Sequence, residues 1–197
     1  MYRLHALLLP LLLLPFSAHA SEATLEQLFD RLSEGGHVIY WRHAATDHRQ
    51  RDQNLNDMDR CEQQRNLSEQ GREQARLVGR VFKERAIPIA AVYSSAFCRN
   101  RETATLALGR YTILPELWNL PAAHTRPLSR EALVDGLRKL LGDMPEQGSN
   151  TLIVGHNLNL RAAANVAIGE GEIAVFQPGG DGRFRLVGSF KPEQLRF

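Results

Sequence analysis

A three-layer α/β/α sandwich, with a mainly parallel sheet and a C-terminal antiparallel hairpin, is the fold class predicted for this chain. Three observations predict it. Short, continuous apolar runs at 37–41, 89–93 and 151–154 have the pattern of strands covered on both faces. Segments with apolar residues at helical spacing lie between them, and strands alternating with helices give a parallel sheet with right-handed crossovers. The last two strand patterns, 173–176 and 184–187, are split by Pro178-Gly-Gly-Asp-Gly182 and read as a hairpin.

The elements follow in order. Thr24-Leu-Glu-Gln27 has capping-box form and opens a helix with Leu25, Leu28, Phe29 and Leu32 on one face, stopped by Gly35-Gly36. Strand 37–41 comes next. Residues 44–66 are polar, without period, and rich in Asp, Asn, Gln and Arg, which predicts a long loop of the kind that carries function or moves. Ser68 opens a second helix to about Ala86, with Ala75, Val78, Val81 and Phe82 on one face and Pro88 after its end. Strand 89–93 leads to a third helix from Arg99 to about Leu108, ended by Gly109. Residues 111–114 form a short strand and 115–127 a loop. Ser129 caps a fourth helix carrying Leu133, Leu137, Leu140 and Leu141.

Composition narrows the function. Of 197 residues, 43% are hydrophobic and 23% charged, which excludes disordered, collagen-like and disulfide-dense scaffolds. With 24 Lys+Arg against 22 Asp+Glu, no bulk field attracts nucleic acid, and no nucleic-acid partner is expected. The basic start around Arg3, the apolar run 6–16 and Ala18-His-Ala20 form a secretory signal cut after Ala20. A membrane anchor is the alternative, but a spanning helix needs about 20 apolar residues, and Pro10 and Pro15 interrupt this shorter run. The expected product is a single domain over 21–197, periplasmic or secreted, without a stable membrane span. Cys61 and Cys98 would then sit where disulfides persist and are read as a bridge, with two buried thiols as the alternative.

In open parallel sheets, ligands bind outside the carboxyl ends of the strands. The three clearest strands end in Arg42-His43, in Ser94-Ser95 with Arg99 following, and in Gly155-His156. Two arginines and two histidines therefore converge on one rim. Guanidinium forks suit a tetrahedral oxyanion such as phosphate, and a neutral imidazole is a competent nucleophile near pH 7. His43 would attack phosphorus while Arg42, Arg99 and His156 hold the transition-state charge, with no metal or cofactor required. A carboxyl group should protonate the leaving oxygen and later activate water.

Four blocks resemble a known family: Arg42-His43, Asn66-Leu-Ser-Glu-Gln-Gly71, Ser94-Ser-Ala-Phe-Cys-Arg99 with Glu102-Thr-Ala104, and Val154-Gly-His156. In order and spacing they resemble the histidine phosphatase (phosphoglycerate-mutase-like) superfamily from about His37 to Asn159. The resemblance implies a phosphohistidine on His43, phosphate clamped by Arg42 and Arg99, and His156 as the second histidine. It also implies a small-molecule or glycolipid phosphoester as substrate. Two departures stand out. Ala44 replaces the family's usual Gly, which suits a backbone without positive φ. Leu114-Pro-Glu116 resembles the segment carrying the acid, but the Gly-rich stretch that commonly follows is missing, so Glu172 and Asp47 are rivals to Glu116.

Other polar residues read as structural. His48, Arg49, Arg51, His124 and Arg126 belong to solvated loops, with contact to the rest of a substrate as the alternative; Arg101 faces solvent or pairs with a carboxylate, with phosphate as its alternative partner; Trp41 and Trp118 pack. Ser94 and Ser95 either donate in the pocket or simply end the strand. No zinc spacing or nucleophile elbow appears. The expected activity is an exported phosphomonoesterase. A catalytically weak phosphate- or phosphosugar-binding protein and a phosphomutase are the alternatives.

Overall fold

The computed structural model describes residues 23–125 and 128–195; the stretch 1–20, read above as a signal, and Arg126 lie outside them. Six strands, β1 (Val38–Arg42), β2 (Ile89–Ser94), β3 (Thr112–Ile113), β4 (Asn150–Gly155), β5 (Ile173–Gly180) and β6 (Arg183–Phe190), form one sheet in the order β3-β2-β4-β1-β5-β6. Pairings β3·β2, β2·β4 and β4·β1 are parallel. Those of β1·β5 and β5·β6 are antiparallel. Helices α1 (Leu25–Glu34), α2 (Glu69–Glu84), α3 (Cys98–Leu108), α4 (Arg130–Gly142) and α5 (Asn157–Ala164) complete the α/β architecture.

Side-chain alternation along the strands builds the layers. Ile39, Trp41, Leu152 and Val154 pack with Ala75, Val78 and Ala104 of α2 and α3 on one face. Tyr40, Ile153 and Ala174 pack with Leu137, Leu141, Leu160 and Ala163 of α4 and α5 on the other. Thr24, Ser68 and Ser129 cap α1, α2 and α4 through their side-chain oxygens, and Gly109 ends α3 at φ 69. A Cβ at Gly71 would overlap the Ala45 carbonyl oxygen, so this glycine lets α2 meet the backbone just beyond His43.

The structure adds one element unassigned from the sequence and corrects two local expectations. Residues 157–164 form α5, a helix without a strong apolar stripe. The hairpin strands extend to Gly180 and from Arg183, because the Pro178-Gly-Gly segment continues β5 and the turn narrows to Asp181-Gly182. The expected loop after β3 contains two 3-10 turns, Pro115–Leu117 and Leu120–Thr125. Among the described residues, no helix is long and apolar enough to cross a membrane.

Cys61 and Cys98 form a disulfide across 37 residues, with Cα atoms 5.7 Å apart. It joins the long loop to the first turn of α3. Replacing both cysteines with serine is expected to cost about 3–4 kcal/mol, from the loop entropy restored to the unfolded chain. Urea unfolding at pH 7.5 measures the loss; an unchanged midpoint would contradict it.

Candidate active site

Adjacent parallel strands bring the two histidines together. Arg42 at the end of β1 pairs in register with Gly155 at the end of β4, so His43 and His156 leave the sheet side by side. Their ring centroids are 5.6 Å apart. His43 N–H donates to the Gly155 carbonyl at 3.2 Å. Tyr40, wholly buried, accepts from the His156 N–H at 2.8 Å and donates to the His156 carbonyl at 2.9 Å. Burial pushes the Tyr40 phenol far above its ordinary value, which keeps it a hydroxyl. A Cβ at Gly155 would overlap the Tyr40 oxygen, so this brace needs glycine there.

Ring orientation is set by short bonds. His43 Nδ1 lies 3.0 Å from the Ala44 carbonyl, which can only accept; Nδ1 therefore carries the proton and Nε2 the lone pair. Ala44 is not among the non-glycines with positive φ, so its side chain is accommodated without strain. Its N–H donates to Thr103 Oγ1, and Thr103 donates to the Arg99 carbonyl, which ties α3 to the segment carrying His43. Ser95 does more than end β2: its hydroxyl is hydrogen-bonded to His156 Nε2 at 2.9 Å. Phe97 stacks edge-on with His156 and lies under the Arg99 guanidinium at 4.5 Å.

Three guanidinium groups surround the rings. Burial first, then the charge of Arg99, and also those of Arg42 and Arg65, push both imidazoles well below the ordinary histidine value. Arg65 escaped sequence reading; its only signal was a basic residue immediately before the Asn66-Leu-Ser block. Burial opposes the charges of Arg42 and Arg99, and carboxylates counter it. Arg99 Nη1 and Nη2 donate to Asp52 at 3.0 and 3.3 Å, and Nη1 also reaches the Arg65 carbonyl. Arg42 donates to the Ile168 carbonyl and to Glu170, which also pairs with Arg65 and His48 and accepts from Thr46. Sequence reading missed Asp52 and Glu170 as well.

Within this cluster, four buried nitrogens have no hydrogen-bond partner among the described residues: Arg42 Nε, Arg65 Nε, Arg99 Nε and His156 Nδ1. Orphaned buried donors cost roughly 1–3 kcal/mol each. An oxyanion with several acceptor oxygens fits such a set. Among the described residues, no group of three or more His, Cys, Asp or Glu side chains is arranged to hold a metal ion.

The carboxylates nominated from sequence lie in other surroundings. A Cβ on Gly136 of α4 would overlap Cβ and Cγ of Glu116, so that side chain lies against α4. Its Oε2 is buried without a hydrogen bond, and it makes no hydrogen bond or ion pair with the four predicted site residues. Glu172 accepts from the Gly169 N–H and from Ser189. Asp47 is held low, at about 2, by the hydrogen bonds of Arg49. Arg101 pairs with Asp59, and Trp118 packs on Phe97.

A mixed α/β sheet that delivers paired histidines and a guanidinium cluster to the ends of adjacent parallel strands defines the class of protein. Residues 38–120 of the chain match the family model of the histidine phosphatase superfamily (branch 1). Similar solved structures include the protein histidine phosphatase SixA complexed with tungstate, at 17% identity, covering 81% of this chain and 99% of that one, TM-score 0.57. A mutant phosphoserine phosphatase from Entamoeba histolytica, in complex with phosphoserine, matches at 14% identity, 81% and 99% coverage, and TM-score 0.55. A mycobacterial glucosyl-3-phosphoglycerate phosphatase with inorganic phosphate matches at 18% identity, with the same coverages and TM-score 0.54. At these identities the likeness is one of fold. No curated protein sequence matches the chain.

Neutral buried histidines carry a stability signature. The unfolded chain takes up protons at histidine near the ordinary value of about 6.5, whereas the folded rings do so only well below it. Their contribution is therefore full above that value and falls as pH drops through it, by up to about 1.4 kcal/mol per pH unit for each ring. Urea midpoints at pH 7.5 and 5.5 measure the loss. Equal midpoints would contradict neutral rings.

Proposed function

We propose that this chain is an exported phosphomonoesterase that hydrolyses phosphate esters through a phosphohistidine on His43. One observation carries the reading: three orphaned buried guanidinium N–H donors and an unpartnered His156 ring nitrogen share a cluster with a histidine whose Nε2 lone pair is free. Arg42, Arg65, Arg99 and His156 bind the dianion and stabilise charge on its equatorial oxygens. His43 Nε2 displaces the alcohol, and the proton on Nδ1 stays bonded to the Ala44 carbonyl as positive charge develops on the ring. Water then cleaves the phosphorus–nitrogen bond and releases phosphate. The relatives that bind tungstate, phosphoserine and phosphate through the same fold favour this reading over a pure binding module.

Export rests on the leader pattern of 1–20 and on the Cys61–Cys98 bridge, which suits an oxidising compartment. A small phosphorylated metabolite or a phosphorylated surface glycolipid is the proposed substrate class. Rapid quenching during turnover of ³²P-labelled phenyl phosphate should trap an acid-labile, base-stable adduct on the peptide containing His43. A labelled peptide elsewhere, or none with hydrolysis intact, would overturn the mechanism.

A further inference from the structure

A phosphohistidine mechanism needs a group that gives a proton to the departing oxygen. Two carboxylates touch the guanidinium cluster, and they are held very differently. Glu170 is engaged on both oxygens, by the N–H and hydroxyl of Thr46 at 3.0 and 2.8 Å, by Arg42 at 3.4 Å, by Arg65 at 3.6 Å and by His48 at 3.3 Å. Protonating it would strand several of those donors, so it acts as an anchor. Asp52 Oδ1 accepts from Arg99 Nη1 and from the Arg65 N–H, but among the described residues its Oδ2 accepts only from Arg99 Nη2, at 3.3 Å.

Asp52 also stands at an opening. Its side chain is 28% exposed, whereas that of its partner Arg99 is 1% exposed. It lines a cavity of about 410 Å³ with Asn54, Asn56, Asn119, His124 and Thr125. Among the described residues no Arg or Lys lines that space, and its carboxamides and hydroxyl offer both donors and acceptors. The cavity fits an uncharged, hydroxyl-bearing alcohol. The Cys61–Cys98 bridge and the bond from Cys98 N–H to Gln64 Oε1 fix this loop against the helix turn carrying Arg99.

We propose that Asp52, rather than Glu116, is the catalytic acid and base of this site, which rests on the phosphohistidine reading above. A substrate dianion takes over donors of Arg99 that otherwise hold the Asp52 carboxylate. As the bond from His43 Nε2 to phosphorus forms, the bond from phosphorus to the ester oxygen breaks, and the Asp52 proton passes to that oxygen. Asp52, now ionised, takes a proton from the water that attacks the phosphohistidine. The phosphorus–nitrogen bond breaks, and the carboxyl regains its proton. Net reaction consumes one ester and one water and yields alcohol and phosphate.

Leaving-group dependence tests this, because 2,4-dinitrophenolate departs without a proton and an alkoxide does not. kcat/KM is measured for glycerol 2-phosphate and 2,4-dinitrophenyl phosphate with wild type, Asp52→Asn, Asp52→Glu and Glu116→Gln, with melting curves as a folding control. Asp52→Asn is expected to lose about a hundredfold or more on the alkyl ester. Its loss on the dinitrophenyl ester should be at least tenfold smaller, and Asp52→Glu should recover part of the alkyl activity. Equal losses on both esters, no loss on either, or the selective loss appearing in Glu116→Gln would overturn the assignment while leaving the phosphohistidine reading intact. A wild type inactive on both esters would overturn that reading, and this proposal with it.

Discussion

Alanine at position 43 is expected to lower kcat/KM for 2,4-dinitrophenyl phosphate by about 10⁴-fold or more, the scale of loss when a covalent nucleophile is removed. Inorganic phosphate should still bind, because Arg42, Arg65, Arg99 and His156 remain. The activated ester is the stringent substrate here: its leaving group needs no acid, so the loss isolates attack by Nε2. Hydrolysis assays paired with calorimetric phosphate titration check both halves. Retained hydrolysis would remove His43 from the chemistry. A wild type that binds phosphate without hydrolysing any ester would instead favour a binding protein.

Arg99→Ala should produce the next largest loss, about 10²–10³-fold in kcat/KM, the range for removing one preorganised donor from a transition-state site. A second readout separates this from simple damage. After burial, the Arg99 charge is the leading cause holding both imidazoles low, so its removal should raise the titration points of His43 and His156 toward the ordinary histidine value. Arg99→Lys keeps charge but loses the fork that faces Asp52 and should recover only part of the activity. Histidine NMR titrations measure the shift. Unmoved rings would show that Arg99 exerts little field at the site.

Much of the fold was legible because its signals are local. Thr24, Ser68 and Ser129 announce helix starts through side chains that reach their own third residue. The apolar runs of β1, β2 and β4 reflect burial on both faces. Helix α5 was not legible: eight residues beginning Asn-Leu-Asn give too few turns for a periodic stripe, and its buried Asn159 serves the Trp118 and Leu120 backbone instead of a hydrocarbon core. Within the site, His43, His156, Arg42 and Arg99 stood out because each follows a strand end. Arg65, Asp52 and Glu170 did not, since they reach the same place from loops whose path no local pattern dictates. The role of Thr103 in bonding the Ala44 N–H was likewise invisible, although the Glu102-Thr-Ala104 block marked its neighbourhood.

The Tyr40 hydroxyl clasping the His156 peptide has a wider meaning. Both imidazoles inherit their separation from neighbouring rungs of one sheet, and the clasp transmits that spacing without any surface segment taking part. Insertions or exchanges in the stretch around Asp52, or between β3 and α4, can therefore reshape what alcohol is accommodated while the reacting pair keeps its alignment. A scaffold arranged this way can diversify its clientele by remodelling its periphery, with the spacing of the two imidazoles insulated from the change.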